Sequence, residues 1–191
     1  MATKIDALNL RKGNIIEFNN GLWRVLSTEH TKPGKGGAFV QAELKNIEDG
    51  TKTHHRFRSE EKIDKAFIEP RRMQYLYHDG THYVFMDMGT FDQLSLDEDA
   101  LDGAENYLLP NTEVDILIHN DRPIGIELPK AVELKVVEAE PVVKGQTADA
   151  SYKPAEVETG VTVMVPPFIN AGDTIRVNPA DGSYEDRVQS G

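Results

Sequence analysis

The sequence predicts an all-β protein made of three small antiparallel β-barrels in a row. Short apolar runs recur along its 191 residues, and turns rich in Gly, Pro, Asn and Asp separate them. Short strands with tight turns are typical of small barrels. Breaks near residues 64 and 128 divide the chain into predicted domains 1–64, 65–128 and 129–191. Because cores of about 60 residues are marginal alone, we expect each barrel to pack against its neighbour.

The first domain has about five predicted strands. Asn-Gly between two apolar runs is a strong hairpin signal, and Asn19-Asn20-Gly21 supplies one. Glu48-Asp49-Gly50 marks another hairpin, and Trp23 is expected to fill the barrel core. The strands include residues 14–18, 22–26, 39–47 and 52–58.

The second domain combines strands with one short helix. Residues 95–101 predict the helix, because Ser95 can cap it and the following acidic residues suit the positive end of its dipole. Strands, a short helix and further strands form the layout of an OB-type barrel. The strands are residues 73–77, 82–88, 114–118 and 124–128, with turns at His78-Asp79-Gly80-Thr81 and Asn120-Asp121-Arg122-Pro123.

The third domain is predicted to be another small barrel. A polar stretch, residues 144–154, contains Gly, Ser and Pro and predicts a loop, of which 144–151 is expected to be exposed. The strands are residues 132–138, 161–165, 174–177 and 184–188.

A long hairpin tip is predicted between the strands at 22–26 and 39–47. Its sequence is Thr31-Lys32-Pro33-Gly34-Lys35-Gly36-Gly37-Ala38. Proline fixes its own φ, and the three glycines can adopt φ values that other residues avoid. Glycines therefore leave Lys35 uncrowded, so that its side chain can reach into a narrow space. An ordinary solvated tip fits the local pattern as well.

The charge of the chain is unevenly distributed. Against 21 basic residues there are 32 acidic ones, a net charge of −11. Residues 1–64 carry 11 basic and 9 acidic side chains (+2), residues 65–128 carry 4 and 13 (−9), and residues 129–191 carry 6 and 10 (−4). The first domain is thus the best suited to RNA. No cysteine, membrane-length apolar run or signal sequence is present, so we expect a cytoplasmic protein.

Signals for enzyme chemistry are weak. The Lys35 stretch lacks the first glycine of a phosphate-binding P-loop, and Gly36 replaces its Ser/Thr. His54 and His55 are adjacent on a strand, so they point to opposite faces and cannot share a metal. The acidic run from Asp97 fails the EF-hand pattern because Leu101 occupies its fifth position. We expect no catalytic residue, no metal and no cofactor.

Motifs from all three domains point to one known family. They are Lys32-Pro33-Gly34-Lys35-Gly36, Tyr83-Val84-Phe85-Met86-Asp87, Val163-Met164-Val165-Pro166-Pro167-Phe168-Ile169 and Gly172-Asp173-Thr174-Ile175-Arg176-Val177. In this order they resemble bacterial translation elongation factor P along essentially the whole chain. The resemblance implies an SH3-like, KOW-like barrel followed by two OB-fold barrels, in an L shape that mimics tRNA.

The resemblance also implies a function. Such a factor binds the ribosome between the peptidyl and exit sites and promotes peptide-bond formation at consecutive prolines, which relieves stalling. Lys35 would reach the peptidyl-transferase centre beside the peptidyl-tRNA, supported by Pro33, Gly34, Gly36 and Gly37. A lysine-modifying enzyme can add a β-lysyl or aminoalkyl group to Lys35 in such proteins. We expect a monomer without membrane contact.

Further RNA contacts follow from the same resemblance. A loop of the third domain would contact messenger RNA in the exit site, where Gln146 replaces a frequent aspartate. The candidates are Lys32, Gly145, Gln146, Thr147, Tyr184 and Arg187. The alternative is an RNA-binding β-barrel protein of the transcription or RNA-chaperone type, without a peptidyl-transferase role. Such a protein would rely more on aromatic stacking faces than on an exposed Lys35.

Overall fold

Three β-sheets make up almost all the regular structure of the protein. The structure is a computed structural model that describes residues 2–141 and 151–189. The sheets have six, five and five strands, which confirms the all-β prediction. The chain forms two compact units, Met1–Pro70 with Leu117–Ile124 and Arg71–Ile116 with Gly125–Gly191. The domain boundaries given above stay predictions. Within the described residues, no helix is long and apolar enough to cross a membrane.

The first sheet has the order β1-β6-β2-β3-β4-β5. Two of its strands were not predicted, β1 and β6, which pair with each other from Thr3↔Lys65 to Asp6↔Lys62. Its strands are β1 (Thr3–Asp6), β2 (Ile15–Phe18), β3 (Gly21–Thr31), β4 (Phe39–Asn46), β5 (Lys52–Arg58) and β6 (Lys62–Lys65).

The first hairpin turn is tighter than the Asn-Gly signal predicted. Phe18 pairs with Gly21, which places Gly21 in β3 and leaves Asn19 and Asn20 as the turn. Both have positive φ, +47° and +59°, as the two central residues of a type I′ turn require. Asparagine tolerates this conformation better than most residues.

A single buried cluster fills the first barrel. Trp23 is 9% exposed and belongs to this cluster, as predicted, and its Nε1 donates to the Phe18 carbonyl at 2.8 Å. This hydrogen bond satisfies the one polar atom of the indole ring. His55 points to the same side, with its ring 4.6 Å from Phe18 and 4.4 Å from Phe57.

The second sheet has the order β11-β10-β7-β8-β9. The turn between the last two strands is shorter than predicted, because only Asn120 and Asp121 form it and both have positive φ. Arg122 and Pro123 already belong to the strand that follows. The strands are β7 (Glu69–His78), β8 (Tyr83–Asp87), β9 (Gln93–Leu96), β10 (Glu113–His119) and β11 (Arg122–Glu127).

The predicted helix cap was wrong. The helix α1 runs from Glu98 to Leu101, and Asp97 caps it by accepting a hydrogen bond from the Ala100 N–H at 2.8 Å. Ser95 lies in β9 and pairs with Val84. The carboxylate is the better cap here because it also carries the charge that the helix dipole favours.

The third sheet has the order β14-β13-β12-β15-β16. The predicted loop at 144–154 was wrong at its end, because Lys153 and Pro154 open β13 and pair with Val165 and Met164. Residues 142–150 lie outside the described part of the chain. The strands are β12 (Val132–Ala139), β13 (Lys153–Val157), β14 (Thr162–Val165), β15 (Thr174–Asn178) and β16 (Ser183–Arg187).

Tyr107 follows helix α1 in the chain and packs against the third barrel. It lies in a 3-10 turn, Ala104–Tyr107, and packs with Leu109 against the buried cluster of the third sheet. Gly182 approaches it closely, since a Cβ on Gly182 would lie 2.9 Å from the Tyr107 hydroxyl oxygen. Real Cβ atoms do not approach so closely, so the Tyr107 hydroxyl or the turn must shift when Gly182 is replaced by a larger residue.

We expect Gly182→Ala to destabilise the protein more than Gly160→Ala. Both glycines have positive φ, +72° and +86°, so each alanine incurs strain of about 1–2 kcal/mol. Only Gly182→Ala also clashes, because nothing lies within 4 Å of a Cβ on Gly160. Urea denaturation measures both free energies of unfolding. Adding Tyr107→Phe to Gly182→Ala removes the clashing oxygen and should restore part of the extra loss in the free energy of unfolding. Equal losses for the two single variants would contradict the close approach.

Candidate functional site

The hairpin of β3 and β4 ends one residue pair beyond the buried core of the first barrel, since Val40 on β4 is fully buried and pairs with His30. β3 is 11 residues long, and its first half alternates buried and half-buried residues while its last residues are mostly exposed. The outermost pair is Thr31↔Phe39. We call residues 27–43 the Lys35 arm. Backbone pairing rather than burial therefore defines its outer end.

Lys35 is the middle residue of the segment that closes this arm. The segment covers residues 32–38, and all residues from Thr31 to Gly37 are exposed. Lys32 lies at its start and is also exposed. The structure thus places Lys32 and Lys35 together on one exposed tip, where both ammonium groups can contact a partner.

One glycine of the tip has a backbone conformation that favours glycine. Gly36 has φ +118°, whereas Gly34 and Gly37 do not have positive φ. A Cβ on Gly36 would lie 3.9 Å from Pro33 Cγ, an ordinary contact, so backbone strain is the reason for glycine there. Gly34 and Gly37 leave open space beside Lys35, since nothing lies within 4 Å of a Cβ on either.

Contacts at the base of the tip hold the arm in place. The Ser59 N–H donates to the Ala38 carbonyl at 3.0 Å, just beyond the tip. Arg56 on β5 lies over the Phe39 ring, with its Cζ 4.0 Å from the ring centroid. A bulge in the β3–β4 register lies between Val25 and Ser27. Bulges increase local twist, so this one influences the direction of the arm.

Two further candidates share strand β16 in the third barrel. Tyr184 is half-buried, and this burial raises the pKa of its hydroxyl. Arg187 is exposed, with its Cζ 5.4 Å from the Phe168 ring centroid and Nη1 4.0 Å from an Asp173 carboxylate oxygen. The other candidates, Gly145, Gln146 and Thr147, lie outside the described residues.

Sequence reasoning missed two aromatic residues beside Tyr184 and Arg187. Phe168 is 55% exposed and Tyr152 is 52% exposed, and the Tyr152 ring centroid lies 6.4 Å from that of Tyr184. Phe168 follows Pro166-Pro167, the proline pair that comes directly after strand β14. This pair was the only local sequence signal that could have pointed to Phe168. Exposed aromatic rings beside a guanidinium form a surface that can stack on nucleic-acid bases.

The histidine pair behaves as the sequence predicted. His54 is exposed and His55 faces the barrel interior, on opposite sides of β5. Across residues 2–141 and 151–189, no three His, Asp or Glu side chains lie close enough to hold a metal ion.

Comparison with known proteins identifies this architecture. Three family models match in sequence: the elongation factor P KOW-like domain over residues 6–63, its OB domain over 68–126 and its C-terminal domain over 132–187. Together these three matched domains make up the domain set of a translation elongation factor. The chain belongs to the elongation factor P family and is a translation elongation factor.

Individual relatives agree with this assignment. Elongation factor P of Acidithiobacillus ferrooxidans is 64% identical, with 97% of this chain and 100% of that protein aligned. The Nitrosospira multiformis protein of that name is 50% identical, over 97% and 99% of the two chains. A solved structure described as eukaryotic translation initiation factor 5A from Methanococcus jannaschii shares the fold, with a TM-score of 0.50 and 23% identity over 66% of this chain and 93% of its own.

We predict that Gly36→Ala changes the tip and that Gly34→Ala does not. Alanine is strained at a φ of +118°, whereas Gly34 has no such φ and has open space around it. Amide chemical shifts of residues 32–38 report the backbone conformation. Gly36→Ala should also lower the free energy of unfolding by up to about 1–2 kcal/mol because of this strain, whereas Gly34→Ala should leave it nearly unchanged. Shifts that move in Gly34→Ala but not in Gly36→Ala would contradict the backbone geometry.

Proposed function

We propose that the protein binds the ribosome between the peptidyl and exit sites and promotes peptide-bond formation at consecutive prolines. The observation that carries this proposal is Lys35, exposed at the middle of the tip of a strand-paired arm. A lysine in that position contacts no core residue, so its role lies in a partner. The family assignment makes the ribosome that partner.

The chemistry of proline explains why such a factor is useful. Proline has no amide hydrogen and a fixed φ, which makes it a rigid residue and a poorly oriented nucleophile. The peptidyl-transferase centre is RNA, so this protein need not supply an acid or a base. By holding the peptidyl-tRNA in a productive geometry, the arm would lower the barrier by several kcal/mol through orientation alone.

The ammonium group of Lys35 is suited to this positioning role. It is a compact cation on a flexible stem with three hydrogen-bond donors. It would donate to the tRNA backbone near the CCA end and reduce phosphate repulsion there. A β-lysyl or aminoalkyl modification of Lys35 would extend this reach and add donors. The open space at Gly34 and Gly37 would admit both the tRNA and a modifying enzyme.

The third barrel would contribute a second contact with RNA. Tyr184, Arg187, Phe168 and Tyr152 combine one cation with exposed or half-buried rings. Residues 145–147 would contact messenger RNA in the exit site. The transcription or RNA-chaperone alternative has lost its support, because the family matches assign the chain to translation.

Lys35→Ala should abolish most of the rescue of proline-stalled ribosomes. The free energy of unfolding should stay within about 0.5 kcal/mol of wild type, because the side chain is exposed. Lys35→Arg keeps the charge but changes the shape and prevents lysine modification, so it should rescue poorly. The assay compares in vitro synthesis of a protein that contains Pro-Pro-Pro with one that lacks it.

Lys12→Ala is the matched control, because Lys12 is an exposed lysine in the same barrel but outside the arm. It should rescue as wild type does. If Lys35→Ala supports the proline-rich product as well as Lys12→Ala does, the arm has no role at the peptidyl-transferase centre. Intact mass of the protein from its native cell, with peptide mapping of residues 25–45, tests the modification.

The triple variant Gly145→Ala/Gln146→Ala/Thr147→Ala should weaken ribosome binding and leave thermal stability unchanged. The reason is the proposed contact of these residues with messenger RNA. Ribosome pelleting and the Pro-Pro-Pro synthesis assay measure the effect. Wild-type binding together with wild-type rescue would remove this contact from the proposal.

A further inference from the structure

The turn between β8 and β9 exposes two large apolar side chains. Phe91 is 69% exposed, the highest value among the exposed large apolar residues that the structure describes, and Met88 is 41% exposed. We call residues 88–91 the Phe91 turn. It connects Asp87, the last residue of β8, with Asp92. A single exposed apolar side chain is common on protein surfaces, but the backbone of Phe91 distinguishes this one.

The backbone of Phe91 has a conformation that phenylalanine rarely adopts. Its φ is +64°, in the left-handed region. Six other non-glycine residues of the described chain have positive φ, and all six are Asn or Asp, which tolerate this region. A bulky side chain is strained there, because its Cβ lies too close to the following carbonyl oxygen. Glycine or asparagine would close the same turn with less strain, so the turn itself does not require phenylalanine.

Hydrogen bonds hold the Phe91 turn without contacts from the ring. One Asp87 carboxylate oxygen accepts from the Gly89 N–H at 2.7 Å and from the Thr90 N–H at 3.1 Å. The Phe91 N–H donates to the Asp87 carbonyl at 2.8 Å, and the Asp87 N–H donates to the Asp92 carbonyl at 2.8 Å. Within the described part of the chain, no aromatic ring stacks on Phe91 and no cation lies over it. The backbone therefore fixes the position of a ring that the described residues leave uncovered.

The charges beside the ring favour a basic protein over RNA. Residues 83–118 contain nine Asp or Glu and no Lys, Arg or His. Two of these carboxylates, Asp87 and Asp92, lie at the two ends of the Phe91 turn. Backbone N–H groups of the turn, and to a smaller extent Arg71, lower the pKa of Asp87, so this carboxylate stays ionised at neutral pH. Carboxylates repel phosphate, whereas surfaces that stack on nucleic-acid bases combine their rings with cations. Lys and Arg side chains of a protein would instead pair with these carboxylates.

We propose that the Phe91 turn binds a basic protein surface. The Phe91 ring enters an apolar pocket, Met88 packs beside it, and Asp87 and Asp92 face Lys or Arg side chains at the rim. Aromatic anchors in such pockets carry much of the binding energy of an interface. Because the turn already holds the ring in place, little conformational entropy is lost on binding. This contact rests on the proposed function, since the ribosome supplies the basic protein.

The first test measures stability and ribosome binding for Phe91→Gly in the full chain. Removal of the strain should raise the urea midpoint of unfolding. Loss of the ring should weaken binding to ribosomes carrying peptidyl-tRNA by about 10- to 30-fold. Asn111→Gly is the matched control, because Asn111 is exposed, has φ +69° and directly precedes the segment that leads into β10. It should bind ribosomes as wild type does.

Two results of this test overturn the proposal. One is wild-type ribosome binding by Phe91→Gly, since the ring then has no partner there. The other is a urea midpoint below that of wild type, because the ring then serves the fold of the turn.

The second test identifies the class of the partner by photocrosslinking. Phe91 is replaced by the photoreactive aromatic residue p-benzoylphenylalanine, and the protein is irradiated on ribosomes carrying peptidyl-tRNA. The same replacement at Tyr77 is the control, since Tyr77 is 51% exposed and lies in β7 of the same sheet. We expect position 91 to form an adduct with a basic protein, in a yield that falls as KCl screens the opposite charges. An adduct with RNA, no adduct, or the same adduct in equal yield from both positions overturns the proposal.

Ribosome binding by the wild-type chain separates these outcomes from that of the proposed function. If wild type pellets with ribosomes and Lys35→Ala rescues proline-stalled ribosomes normally, the role of the arm in stalling is wrong, and the adduct from position 91 still decides the protein contact. If Lys35→Ala fails in rescue and Phe91→Gly binds normally, the proposed function stands and the contact at Phe91 is wrong. If wild type does not pellet with ribosomes, both are wrong.

Discussion

The position of Lys35 depends on the pairing of β3 with β4, which continues one residue pair past the fully buried Val40. Near the barrel, buried Val25 and Leu44 pair with each other, and apolar burial stabilises the hairpin. At the outer end, Thr31 and Phe39 are not buried, so backbone hydrogen bonds hold the strands together. Sheet pairing is stiff compared with a free loop. A reactive or binding side chain can thus be placed away from the barrel without its own core.

The Lys35 arm has a rigid part and a less constrained part. The strands supply the rigid part, and the tip supplies a short exposed segment in which only Gly36 has a conformation restricted to glycine. Gly34 and Gly37 serve a different purpose, because they keep the volume around Lys35 free of side chains. The same residue type therefore meets a backbone requirement at one position and a steric requirement at its neighbours.

The net charge differs strongly between the first two domains. Residues 1–64 carry a net +2, whereas residues 65–128 carry −9. The outer side of β3, β4 and β5 carries five Lys or Arg residues and two Glu residues, and three of the five cations, Arg24, Lys45 and Lys52, lie at the end of the strands away from the tip. Phosphate is attracted to this side and repelled by the acidic residues of the second domain.

The sequence by itself determined the strands with strong alternating patterns, the hairpin at Lys35 and the motifs of the family. These features rest on local chemistry, such as the period of apolar residues and the φ preferences of Gly and Pro. Trp23 in the core follows from the same pattern.

Only the tertiary structure decided the features that depend on distant partners. Strands β1 and β6 are short and polar, and Thr3 pairs with Lys65 far along the chain, so no local pattern marks them. Asp97 replaced Ser95 as the helix cap because neighbouring pairing already placed Ser95 in β9. Of the three tip glycines only Gly36 has positive φ, a choice that the sequence pattern left open.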